Sequence, residues 1–140
     1  MPFRFLPDVA LADIAFEAES GSIDGLFEAC ALAISDIMVD PETLRPSTER
    51  RFALESESLD RLLYDFMTEL IVVKDVDSLL FRTYAVTVSL EGRSLRAVAR
   101  GEEIDRERHR LRNDVKAVTM HLFGIKHEDG KWRTTVVLDI

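Results

Sequence analysis

The sequence predicts a single α+β domain over residues 1–140, with a mixed or antiparallel sheet and two helices packed on one of its faces. Three observations lead there. Two segments, each following a serine, carry apolar residues at helical spacing. Most of the second half alternates apolar and polar residues with a period of two. Two turn signals, Glu91-Gly92 and Glu128-Asp129-Gly130, divide that half into hairpins.

Taken in order, "LADIAFEA" puts Ala12, Ile14, Phe16 and Ala18 on one face and Leu11, Asp13, Ala15 and Glu17 on the other, which predicts a half-buried strand. Ser22 then caps a helix through about Val39. Its residues Ile23, Leu26, Phe27, Cys30, Ile34, Ile37 and Met38 follow the i, i+3, i+4, i+7 pattern of one buried face. Cys30 lies on that face and reads as core, not as a reactive thiol. "DPETLRPS" holds two prolines and ends the helix. "RRFALES" is a short strand. Ser58 caps a second helix through Leu59, Leu62, Leu63, Phe66, Met67 and Leu70, with Asp60 favourably placed in its first turn. "VKDVDS" reads as a loop. "TYAVTVSL" and "SLRAVARG" make one hairpin, "DRERHRLRND" is a charged connection, and "KAVTMHLFGIKHE" with "KWRTTVVLDI" makes a second hairpin. With only two helices, one sheet face is covered and the other is left partly free.

A chain of 140 residues with 46% hydrophobic and 31% charged residues is long enough for one sizeable core and ordinary for a soluble globular protein. No stretch approaches the roughly 18 apolar residues of a membrane span. The N-terminus has no basic region followed by a long apolar run, so a secretory signal is not expected. One cysteine cannot form an internal disulfide, which fits a reducing cytoplasm. The net charge of −8 is uneven: residues 1–60 hold 13 acidic and 4 basic side chains, and residues 61–140 hold 13 and 14. Direct binding to nucleic acid normally needs a basic face, so none is expected. The acidic half points instead to a basic protein partner, to bound cations, or simply to solubility.

The end of the last strand supplies the candidate site. Trp132, Thr134, Val136, Leu138 and Ile140 project one way, and Arg133, Thr135, Val137 and Asp139 the other. Asp139 therefore points away from the more apolar row, and Asp13 likewise opposes Ile14 and Phe16. Aspartate is disfavoured inside strands. If the two strands are neighbours, Asp13, Asp139 and the Ile140 carboxylate form an anionic cluster that must take a proton or a cation. Oxygen-only ligation suits Ca²⁺ or Mg²⁺, with Mn²⁺ also accepted, and not a soft metal. The alternative is that Asp13 caps a turn and Asp139 pairs with Arg133 or a lysine.

Other polar residues carry less. His121 alternates with Phe123 and Ile125 and reads as a hydrogen-bonded strand histidine; His127 reads as surface. No serine has a His-Asp partner at recognisable spacing, and no glycine-rich phosphate loop is present. "RERHRLR" is interrupted by acids and reads as a solvated connection.

The pieces "ADIAFEAES", "SIDGLFEACALAISDIM", "SLDRLLYDFMTELI", "GEEIDRERHRL" and "DVKAVTMHLFGIKHEDGKWRTTVVLDI" together resemble the archease family, small α+β proteins of the SHS2 fold group. The resemblance spans nearly the whole chain, and "VKAVT.H" followed by "LDI" is its most specific part. It implies a non-catalytic accessory protein of the RtcB-type RNA ligase, which seals RNA ends with GTP and a divalent metal during tRNA splicing. Such a protein promotes ligase guanylylation and repeated turnover, and GTP would belong to the ligase. The resemblance assigns metal binding to Asp13 and Asp139, adjoined by Ile140, and matches recurrent polar positions at Lys116 and His109 as partner contacts. The family pattern "HTAD" is replaced here by Ala10-Leu11-Ala12-Asp13, with Asp8 as a nearby substitute for the missing polar groups. A chaperone-like modulator of RNA- or DNA-modifying proteins and a metal-dependent phosphohydrolase are the competing readings.

Overall fold

Ser22 and Ser58 each close the first turn of a helix with a side-chain oxygen. Ser22 accepts from the Gly25 amide and starts α1 (Ile23–Met38); Ser58 accepts from the Arg61 amide and starts α2 (Leu59–Asp77). Each bond satisfies an otherwise orphaned amide, an effect worth about 1 kcal/mol. The protein is described by a computed structural model covering residues 2–6 and 13–140. Its strands are β1 (Phe3–Leu6), β2 (Asp13–Ser20), β3 (Thr48–Glu55), β4 (Leu79–Val88), β5 (Ser94–Glu103), β6 (Ala117–Val118), β7 (Gly124–Glu128) and β8 (Lys131–Asp139).

The α+β class holds, with the strands divided between two antiparallel sheets. One runs β1-β2-β8, with β6 and β7 both on the far edge of β8; the other runs β3-β5-β4. The helices lie between them and share one core. Phe16, Ala18, Val136 and Leu138 from the first sheet, and Phe52, Val86, Leu95 and Ala97 from the second, meet Leu26, Phe27, Cys30, Ile34, Leu62, Leu63 and Phe66 of the helices. Cys30 is fully buried, and burial pushes its thiol well above the ordinary range, as a core cysteine requires.

Three local readings are corrected. "VKDVDS" is not a loop: it forms the last turns of α2 and its cap, Ser78, whose φ of 55° is left-handed and whose amide donates to the Lys74 carbonyl. Packing overrides the polar composition there, because Val73 and Lys74 are buried and the Lys74 ammonium reaches Asp114, Asp75 and the Val115 carbonyl. "KAVTMHLFGIKHE" is not one continuous strand. It pairs with β8 at Ala117–Val118, leaves the ladder, and rejoins at Gly124, with Leu122 at a φ of 59° in between. His121 accordingly sits in an exposed turn and not in a strand row. The "RERHRLR" connection is not simply solvated, since His109 within it is buried.

Side chains of the helices also close strand edges. In α1, Glu28 and Asp24 accept hydrogen bonds from the outward amides of Val86 and Val88 on β4, each at 2.8 Å, and Ser35 bonds the Tyr84 hydroxyl. In α2, Asp60 accepts from the Ile125 amide of β7 at 3.1 Å. Gly101 of β5 is required by close approach: a Cβ there would lie 1.9 Å from the Leu80 carbonyl oxygen.

Candidate metal centre

β2 and β8 run antiparallel in unbroken register from Ser20↔Trp132 to Asp13↔Asp139. The two aspartates are therefore direct cross-strand partners at the end of the ladder, and partners in such a ladder project from the same face. The hydrophobic alternation fixes this register. A slip by one residue would turn Phe16, Val136 and Leu138 out of the core.

The helix-covered face holds Ile14, Phe16, Leu138 and Val136. The opposite row holds Asp13, Ala15, Glu17, Thr135, Val137 and Asp139, of which Ala15 and Val137 are buried. Asp139 is exposed and Asp13 half-buried. Neither makes an ion pair with a described residue, and Arg133, which the alternative reading pairs with Asp139, is held by Glu19 at 2.8 Å. Lys131 also pairs with Glu19, and these two cations hold the Glu19 carboxyl below its ordinary range.

On the other side of β8, the Lys116 amide donates to the Asp139 carbonyl at 2.8 Å, and Ala117 is the next cross-strand partner of Asp139. Lys116 is exposed, so an ammonium group and two carboxylates arise from adjacent positions at one end of the sheet. Ile140 follows Asp139 directly and packs its side chain against the core. Asp8, Ala10, Leu11 and Ala12, where the chain departs from "HTAD", lie outside the described residues.

Among the described residues no three His, Cys, Asp or Glu side chains converge, so an all-protein calcium cage does not form from side chains alone. Two facing carboxylates do fit a hard divalent ion that keeps waters or takes phosphate oxygens as its remaining ligands, the manner in which Mg²⁺ is commonly held. The same pair unneutralised would be two like charges in direct cross-strand contact, which is unfavourable.

His109 lies elsewhere. Its Nδ1 accepts from the Asp105 amide at 2.9 Å, which leaves the proton on Nε2 to donate to Glu102 at 2.7 Å. The ring is buried with both nitrogens used, so a partner would meet its neighbours and not His109 itself. Glu102 is also gripped by both terminal nitrogens of Arg108 and by the Arg45 amide, and Arg108 above all holds its carboxyl far below the usual carboxylate range. Sequence reasoning missed this cluster. Its only local sign is an acid at a strand end shortly before a basic run.

Comparison with known proteins gives consistent matches. Residues 3–140 match the model of the archease protein family (MTH1598/TM1083). The chain is 37% identical over 132 residues to a protein archease of Pyrococcus abyssi, covering 92% of this chain and 93% of that protein. It is 37% identical over 131 residues to a protein archease of Methanothermobacter thermautotrophicus, with 92% and 93% covered. The solution structure of Methanobacterium thermoautotrophicum protein 1598 superposes with a TM-score of 0.81 at 34% identity, covering 99% of each chain. A Thermotoga maritima crystal structure described as an archease and possible chaperone shares the fold at a TM-score of 0.66 and 19% identity, over 96% of each chain.

Proposed function

This chain belongs to the archease family, and we propose that it serves as a non-catalytic activator of an RtcB-type RNA ligase in tRNA splicing or RNA repair, presenting a divalent cation to the ligase during guanylylation. The observation that carries this reading is the Asp13↔Asp139 pairing at the end of β2 and β8. A cation bound there would neutralise phosphate charge as the nucleotide is transferred.

The chain's own residues supply position. Asp13 and Asp139 sit on a continuous ladder whose inner face is locked in the core, so their separation does not depend on a mobile loop. Ile140 follows Asp139 and packs its side chain against the core, which helps fix the end of the ladder. Lys116 stands beside the pair and offers a contact for a phosphate or an acidic group on the ligase. The exposed apolar side chains Met120 and Leu122 follow on the loop between β6 and β7. They favour a second reading, a chaperone-like modulator that holds apolar surface of RNA- or DNA-modifying proteins. No helix is long and apolar enough to cross a membrane among the described residues.

The test is single- and multiple-turnover RNA ligation by a purified RtcB-type ligase with substoichiometric amounts of this protein. Faster ligase–guanylate formation and sustained turnover are expected, and both are lost with Asp13→Asn or Asp139→Asn while melting behaviour stays native-like. Unchanged guanylylation and turnover at every ratio would reject the proposal. Recovery of many modifying enzymes from cell extract, instead of chiefly one ligase, would favour the second reading.

A further inference from the structure

Among the described residues, three of the four sheet edges are blunted in ways that oppose pairing with another chain. On β4 the register shifts between Phe81 and Thr83, and Glu28 and Asp24 occupy the Val86 and Val88 amides. The β6–β7 edge is interrupted, and Asp60 occupies the Ile125 amide. β1 spans 4 residues among those described. β3 is different: its 8 residues run in unbroken register beside β5, and no described strand lies on its other side.

The direction of its backbone groups follows from one bond. The Ser56 amide donates to the Arg93 carbonyl at 2.8 Å, just beyond the last strand pair, so even-numbered residues of β3 bond toward β5. The N–H and C=O groups of Glu49, Arg51, Ala53 and Glu55 therefore point outward. The side chains of those four residues are exposed on the solvent face, whereas Phe52 is buried on the inner face.

We infer that two copies of this chain pair antiparallel through β3, with Ala53 on the two-fold axis. In that register Arg51 stands opposite Glu55 of the partner subunit on the outer face, once on each side of the axis. Phe52 stands opposite Leu54 of the partner subunit on the inner face. Ala53 and Arg51 carry outward backbone groups, so these pairs exchange both of their N–H···O bonds. Shifting the axis to Arg51 sets arginine against arginine, and shifting it to Phe52 sets Glu49 against Glu55. Arg51 bonds Glu49 of its own strand at 2.9 Å with its side chain still 76% exposed, and Glu55 has no ion pair among the described residues, so the first arrangement sets Arg51 between its own Glu49 and Glu55 of the partner subunit.

α2 supplies an independent observation. Asp65 bonds Ser56 at the end of β3, and by helical spacing Val72 and Val76 continue its stripe along the flank beside that strand. They are 43% and 73% exposed. Two copies joined at β3 bring these apolar flanks toward each other across the axis, in the isologous arrangement usual for two-fold dimers. The Asp13–Asp139 pair belongs to the other sheet and takes no part.

Sedimentation equilibrium of the full chain from micromolar to millimolar concentration tests this. The wild type is expected to dimerise reversibly. Arg51→Glu and Glu55→Arg should each weaken the dimer at least tenfold by opposing like charges, and the double variant should recover it. Ala53→Pro should abolish pairing with the monomer fold intact, since proline is tolerated where an edge amide points to solvent. Ala53→Cys should form a covalent dimer under air, read on a non-reducing gel. A wild type that stays monomeric throughout, or a double variant no tighter than either single one, overturns the inference.

Discussion

Two acids at strand ends meet opposite fates in this molecule. Glu102, near the end of β5, is buried and accepts from the Arg108 guanidinium, the His109 ring and the Arg45 amide. Asp139, at the end of β8, is exposed and faces another aspartate, with no ion pair to a described residue. The first is an electrostatic arrangement closed on itself, and it ties the 104–112 connection to the sheet. The second has no such closure among the described residues. A buried charge stripped of its partners is strongly destabilising, whereas an exposed one costs the fold little. Lys74 repeats the closed pattern, with two carboxylates and a carbonyl for its three donors.

The largest effect that tests this contrast comes from opening the closed cluster. Glu102→Gln leaves Arg108 and His109 beside a neutral amide and should destabilise the protein by about 3 kcal/mol, seen as a lower urea midpoint with an unchanged slope. The pH dependence has a defined sign. The folded Glu102 carboxyl is held below its unfolded value, so its contribution is fully present above the unfolded carboxylate pKa of about 4.3 and declines as pH falls below it. Acid unfolding should therefore be shallower in Glu102→Gln than in the wild type over that range. Equal steepness would mean that other carboxylates govern acid stability.

The open pair should respond to cations, and the closed cluster should not. At a Mg²⁺ or Mn²⁺ concentration about a hundred times the dissociation constant, wild-type stability should rise by about 2.7 kcal/mol. That gain should vanish in Asp139→Asn and persist in Glu102→Gln. A thermal melt series with and without chelator reads it directly. If Asp139→Asn gains as much as the wild type, the ions act elsewhere on the acidic surface.

Much of this was legible before the structure, for identifiable reasons. Ser22 and Ser58 are caps with a local mechanism, and the rows around Phe16 and Val136 have a period that admits one burial face; both survive folding unchanged. The facing of Asp13 and Asp139 was legible because the apolar alternation of each strand fixes which way its aspartate points, whereas the adjacency of β2 and β8 was only a condition that the ladder now meets. The division into two sheets was not, because no local pattern says which hairpin joins which layer. The end of α2 was missed because Lys74 is held by Asp114, 40 positions away, and His109 because its partner Glu102 looks like any strand-end acid.

The smallest expected effect is also the most discriminating. If Asp13 and Asp139 served the fold, neutralising either would cost stability, as it does for Glu102. Like charges directly across an antiparallel pair are instead unfavourable by roughly 0.2–1 kcal/mol. In metal-free buffer, Asp13→Asn and Asp139→Asn should therefore each leave stability unchanged or raise it by a few tenths of a kcal/mol. Added salt should shrink the gain, because at least one member of the pair is exposed to screening. Careful urea titrations at low and high ionic strength resolve the difference. A loss of more than about 1 kcal/mol in either variant would place the aspartates among the structural charges and remove the contrast with Glu102.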